Sequence, residues 1–142
     1  FAALCDVSRE AARAIERNIE LLGAQNRTAL IQADWRTALS RLSGHRFSLV
    51  FLDPPYRVAD AYARAAEAMA AQGLLAEGAV IVMEHAPQAP PPLPDGFEVF
   101  DARRYGDTAV TLVRGAGARD AQNARDARDA EESDDRRLPG QL

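Results

Sequence analysis

Phe47-Ser48-Leu49-Val50-Phe51-Leu52 runs directly into Asp53-Pro54-Pro55-Tyr56, and this junction restricts the fold more than any other stretch. An almost unbroken apolar run of six residues predicts a strand buried on both faces of a parallel sheet. An acid at its carboxyl end then lies where open α/β sheets bind their ligands. Two prolines fix φ, remove two N–H donors and delay the next helix, so the segment is a stiff, extended lip. Tyr56 ends it with an aromatic face. A carboxylate acceptor, a backbone carbonyl freed from the ladder and a stacking ring suit the grip of a flat base by its exocyclic amine.

The rest of the chain alternates around that junction. Phe1 to Cys5 is a short apolar strand closed by Asp6. Ser8 is the expected N-cap of a helix in which Ala11, Ala12, Ile15, Ile19 and Leu22 recur at helical spacing and which Gly23 stops. Thr28 to Ala33 predicts a second strand, again followed by an acid, Asp34, and a short helix spans Trp35 to Leu42. Beyond the lip, a helix from about Ala59 to Ala71 stops at Gln72-Gly73, and Ala79 to Glu84 predicts a β-branched central strand. Pro87, Pro90, Pro91, Pro92 and Pro94 mark residues 86 to 96 as a polyproline-like surface loop. Phe97 to Arg103 and Ala109 to Val113 alternate about the turn residues Tyr105-Gly106-Asp107-Thr108, the pattern of an antiparallel hairpin.

Strand and helix in alternation predict an α/β sheet, mostly parallel, with a C-terminal hairpin. Right-handed crossovers then put Asp6, Asp34 and Asp53 on one rim. Residues 1–114 are the expected domain; residues 115–142, with Ala-Arg-Asp near-repeats and an acidic cluster, are expected to be a disordered charged tail.

Composition narrows the chemistry. All 17 basic residues are Arg and the net charge is −4, so no global basic field advertises nucleic acid, although Arg57, Arg103 and Arg104 could form a local patch. Cys5 is the single cysteine, expected as a buried thiol, and excludes a disulfide framework. His45 and His85 have no second Cys or His at ligand spacing, so no metal site is expected. Glu84 and His85 end a strand on the active edge as candidate supporting groups. No apolar run reaches membrane-spanning length. The expectation is a cytoplasmic protein without membrane or metal, acting as a monomer.

An acid at the end of a second strand can accept both hydroxyls of a ribose, a role that fits Asp6. Asp34 can accept from an adenine amino group, and Trp35 can lie against the ring. The plainer reading of each acid is a helix N-cap.

These residues resemble motifs II, III and IV of the class I S-adenosylmethionine-dependent methyltransferases that modify exocyclic or amide nitrogens. Three stretches resemble the RsmD family more narrowly: Phe51 to Tyr56, Gly73-Leu74-Leu75 ahead of a strand ending in Glu84, and Arg104-Tyr105-Gly106-Asp107-Thr108. The resemblance covers residues 1–114. It implies a Rossmann-like sheet, S-adenosylmethionine as cofactor, and methylation of the N2 amine of a guanine in 16S ribosomal RNA or the small ribosomal subunit. It carries the catalytic role to Asp53, Pro54, Pro55 and Tyr56, and cofactor contacts to Asp6, Asp34, Trp35 and Asp53. Substrate contacts fall to Tyr56, Arg57, Arg104 and Tyr105.

The family's first strand and glycine-rich motif I do not occur in this sequence; in that fold the strand lies between those expected at Phe1 to Cys5 and Phe47 to Leu52. The chain is therefore expected to leave two strand edges open and to bind S-adenosylmethionine weakly. Isothermal titration should show no micromolar affinity. Two neighbouring enzymes use a related lip, an N6-adenine nucleic-acid methyltransferase and a protein-glutamine methyltransferase. A non-catalytic RNA- or nucleotide-binding relic is the alternative of a different class.

Overall fold

A computed structural model describes residues 1–54 and 60–115. Pro55, Tyr56 and Arg57 of the lip therefore lie outside the described residues, as does the charged tail beyond Gly115. The chain divides into two compact units, Phe1–His45 and a second that begins at Arg46.

In the first unit, β1 (Ala2–Asp6) leads through Ser8 into α1 (Arg9–Leu21), a short 3-10 turn (Gln25–Arg27), β2 (Thr28–Gln32) and α2 (Trp35–Arg41). The Ser8 hydroxyl accepts from the Ala11 N–H, as the cap predicts. At the other end the Ala24 N–H donates to Ile19 O and the Gly23 N–H to Glu20 O, the pair of bonds that closes a helix in a Schellman motif. β1 and β2 pair in parallel with Asp6 opposite Gln32, so their carboxyl ends share one edge. The Asp6 carbonyl extends that ladder by accepting from the Ala33 N–H.

The second unit holds β3 (Phe47–Leu52), α3 (Asp60–Ala71), β4 (Leu75–His85), β5 (Glu98–Tyr105) and β6 (Thr108–Arg114). Its sheet runs β3-β4-β6-β5: β3 and β4 are parallel, while the hairpin adds antiparallel with β6 against β4. Helix α3 buries Ala61, Tyr62, Ala65, Ala66 and Met69, a stripe at helical spacing whose small residues permit close packing. The fully buried side chains Leu74, Ile81, Met83 and Val113 form the centre of this unit's core. The hairpin turns through Gly106-Asp107, with Tyr105 opposite Thr108. Gly106 has φ +61° and no non-glycine residue has positive φ among the described residues, the sign pattern of a type II′ turn with glycine at its first central position.

Four expectations need correction. β4 begins at Leu75, not Ala79, because the chain regains the β3 ladder early and absorbs a register shift between Phe47 and Leu49. The strands divide between two sheets rather than one. β3 is not buried on both faces: Leu49 is 51% and Phe51 71% exposed, since nothing among the described residues covers that side. Cys5 is likewise exposed. Partial burial raises the thiol pKa above the ordinary value, but among the described residues β1 has a strand neighbour on one side only. The same holds for β3, so β1 and β3 each present one open edge among the described residues. No helix among these residues is long and apolar enough to cross a membrane.

Candidate active site

Each predicted acid lies at or just past the carboxyl end of a parallel strand. Asp6 is the last residue of β1; its Oδ1 accepts from the Ser8 N–H at 2.7 Å, which turns the chain into α1. Its second carboxylate oxygen has no partner among the described residues and can still accept. Asp34 lies two residues past β2 and caps α2. Oδ1 accepts from the Arg36 and Thr37 N–H groups at 3.0 and 3.3 Å, and Oδ2 from the Thr37 hydroxyl at 2.6 Å. Those bonds, the Thr37 hydroxyl foremost, hold the carboxyl below its usual pKa. Both readings of Asp34 are therefore compatible, because each oxygen carries more than one lone-pair direction. Trp35 opens α2 half-buried, with the Arg36 guanidinium 4.3 Å from its ring centroid. One ring face is thus occupied by a cation.

Asp53 stands immediately beyond β3, exposed, and Pro54 follows half-buried. A proline there donates no hydrogen bond, so its segment leaves the ladder and its carbonyl is not committed to a strand partner. On the hairpin, Arg104 Nε donates to Gly106 O at 2.9 Å and Tyr105 is 61% exposed. Arg103 pairs with Asp101 at 2.9 Å, which raises its pKa and takes it out of the basic patch expected there. Arg114 lies over Phe100 at 4.9 Å. Among the described residues no group of His, Cys, Asp and Glu could hold a metal ion.

The sequence offered Glu84 and His85 as candidate supporting groups, but not their partners Tyr62 and Thr111. The Tyr62 hydroxyl of α3 donates to the Glu84 carbonyl. His85, 5% exposed, places Nδ1 2.9 Å from Ala86 O and Nε2 2.8 Å from the Thr111 hydroxyl. A carbonyl can only accept, so Nδ1 carries a proton and donates to Ala86 O, while Nε2 and the Thr111 hydroxyl share the second bond. The end of β4 is thereby fixed from a helix on one side and a strand on the other. One sequence signal pointed this way: Tyr62 is the lone aromatic in an alanine-rich helix, and a buried tyrosine hydroxyl needs a polar partner.

Comparison with known proteins agrees with this geometry. A family model described as conserved hypothetical protein 95 matches residues 1–114. Among solved structures, a conserved hypothetical protein of Streptococcus pyogenes is 31% identical with a TM-score of 0.71, over 80% of this chain and 70% of its own. The yhhF protein of Escherichia coli is 24% identical with a TM-score of 0.67, over 82% of this chain and 63% of its own. An O-methyltransferase of Bacillus cereus in complex with SAH is 15% identical with a TM-score of 0.58, and shares the fold over 79% of this chain and 61% of its own. A search of curated proteins returned no significant match. The fold is therefore that of the Rossmann-like class I methyltransferases, and the chain belongs to the conserved hypothetical protein 95 family, the RsmD family of methyltransferases.

Proposed function

We propose that this chain is the greater part of an enzyme that transfers a methyl group from S-adenosylmethionine to the exocyclic N2 of a guanine in 16S ribosomal RNA, with residues 1–114 as its methyltransferase domain. One observation carries the reading: an acid and a proline stand at the carboxyl end of β3 in a chain of this family. Asp6 has a carboxylate oxygen to spare for a ribose hydroxyl, which fits the cofactor; Asp34 and Trp35 are assigned to its adenine.

The cofactor's sulfonium supplies an already reactive methyl group. The chain's task is to prepare the nitrogen. A guanine N2 lone pair is delocalised into the ring and attacks poorly until its hydrogens are held and the nitrogen pyramidalises. Asp53 carboxylate takes one N–H and the Pro54 carbonyl the other, while Pro55 keeps the segment stiff. As the new N–C bond forms and the S–C bond breaks, the surplus proton leaves nitrogen toward Asp53 or water. Tyr56 stacks on the base, worth about 1–3 kcal/mol, and Arg57, Arg104 and Tyr105 face the RNA. Positioning supplies most of the rate, and the guanine is taken unpaired or flipped. The enzyme acts as a cytoplasmic monomer.

The test is incubation of the full-length protein and labelled cofactor with small ribosomal subunits, duplex DNA or a release factor. Label is expected on 16S RNA, at guanine N2. Label on DNA or on the release factor's glutamine would replace this reading with one of its neighbours, and no label on any acceptor would favour a binding relic.

A further inference from the structure

We infer that Glu84 is a specificity-determining residue that accepts the N1–H of the target guanine beside Asp53, an inference that rests on the proposed guanine-N2 reaction. The parallel register of β3 and β4 pairs Leu49 with Val80, Phe51 with Val82 and Leu52 with Met83. The next residue on each strand is Asp53 and Glu84. Side chains alternate along a strand and paired positions of a parallel ladder face the same way, so Asp53 and Glu84 continue the Leu49–Val80 and Phe51–Val82 row. That row is the open one: Leu49, Phe51 and Asp53 are exposed, and Val80, Val82 and Glu84 half-buried. The opposite row, Ile81, Met83 and His85, is buried.

Asp53 and Glu84 differ in what surrounds them from Asp6 and Asp34, the other acids at the carboxyl ends of parallel strands, and from the acids that pair with arginine. Asp6 and Asp34 are engaged with backbone N–H groups, and Asp60, Glu98 and Asp101 with arginines. Glu84 has no hydrogen bond or ion pair to its carboxylate among the described residues, yet its backbone is the most firmly held at this edge. Its own carbonyl accepts the Tyr62 hydroxyl, and the following ring, His85, is bonded to Ala86 O and Thr111. Three buried groups thus fix the position of a side chain that itself bonds to nothing here. Such preorganisation is what an acceptor aimed at a ligand requires.

Base chemistry identifies that ligand. Guanine presents two adjacent donors on its Watson–Crick edge, N1–H and the N2 amine, whereas the ring nitrogen beside the amine of adenine is an acceptor. A carboxylate beside the one that holds N2 satisfies N1–H and repels an unprotonated ring nitrogen. 2-Aminopurine keeps the N2 amine and lacks N1–H together with the O6 carbonyl, so the contact to Glu84 is read from how substitution of Glu84 changes the preference between the two bases. A site whose polar group is left unpaired rejects such an analogue strongly.

The experiment takes the guanine mapped by the transfer assay and replaces it with 2-aminopurine in reconstituted small subunits. Wild-type full-length protein is expected to prefer guanine by on the order of 10- to 100-fold in kcat/KM, the range of one good base contact. Glu84→Ala should bring that ratio close to one, chiefly by losing guanine activity. Glu84→Gln, which keeps an oxygen acceptor in the same shape, should retain most of it, with circular dichroism confirming that both variants fold. If Glu84→Ala lowers both substrates equally, or leaves the ratio unchanged, Glu84 reads no base and this inference alone is overturned. A wild-type protein that labels no guanine overturns the proposed reaction, and this inference with it.

Discussion

Replacing Asp53 with Ala in the full-length protein should lower methyl transfer by on the order of 100- to 1,000-fold while leaving the affinity for S-adenosylmethionine within about twofold. The large loss follows from the nitrogen's electronic state. Without the carboxylate, one N2 hydrogen loses its acceptor and the lone pair stays in the ring; only the Pro54 carbonyl remains to draw the amine out of plane. The small change in affinity follows from position. Asp53 stands exposed at the exit of β3 with no hydrogen bond or ion pair among the described residues, so its removal strands no buried partner. Single-turnover kinetics with saturating cofactor, set beside a titration of cofactor alone, separates the two quantities. Equal loss of binding and transfer would place the carboxylate on the cofactor and refute a role toward the amine.

The legible parts of this chain were those written in local chemistry. Ser8 announced the start of α1, Gly23 and Gly73 its end and that of α3, and Tyr105 to Thr108 the hairpin, because caps and tight turns depend on a few residues and on φ alone. Asp34 was legible as a cap, since a carboxylate after a strand and before a helix is placed to cap whatever else it does. Burial was not legible in the same way. Phe51 and Cys5 are apolar residues in apolar runs, and a periodicity reports only what a side chain prefers, not what stands opposite it. Their exposure is set by the open sides of β3 and β1, which depend on long-range pairing. His85 was legible as a supporting group, but the bonds that make the support beneath Glu84 were hidden for a related reason. Tyr62, His85 and Thr111 come from α3, β4 and β6, and only the folded register brings them to one strand end.

That register also fixes where stability is concentrated, and two neighbouring positions should show it. Met83 is fully buried, in the core with Leu74, Ile81 and Val113, while Phe51, on the adjacent strand and one step away in register, is 71% exposed. Met83→Ala deletes a thioether from a packed interior, losing its transfer free energy and leaving a cavity that close-packed neighbours fill only in part, at a cost of about 2–5 kcal/mol. Phe51→Ala removes a larger ring that water already reaches, and should change stability by no more than about 0.5 kcal/mol. Amide hydrogen exchange at Ile81 and Val113 reads the stability of this unit directly. Each 1.4 kcal/mol is a factor of ten, so Met83→Ala should speed exchange there by roughly 30- to 3,000-fold and Phe51→Ala by less than about threefold. A Phe51→Ala effect as large as that of Met83→Ala would mean that the open face of β3 is covered in solution, and that Asp53 and Glu84, which continue that row, meet their substrate in a more enclosed setting.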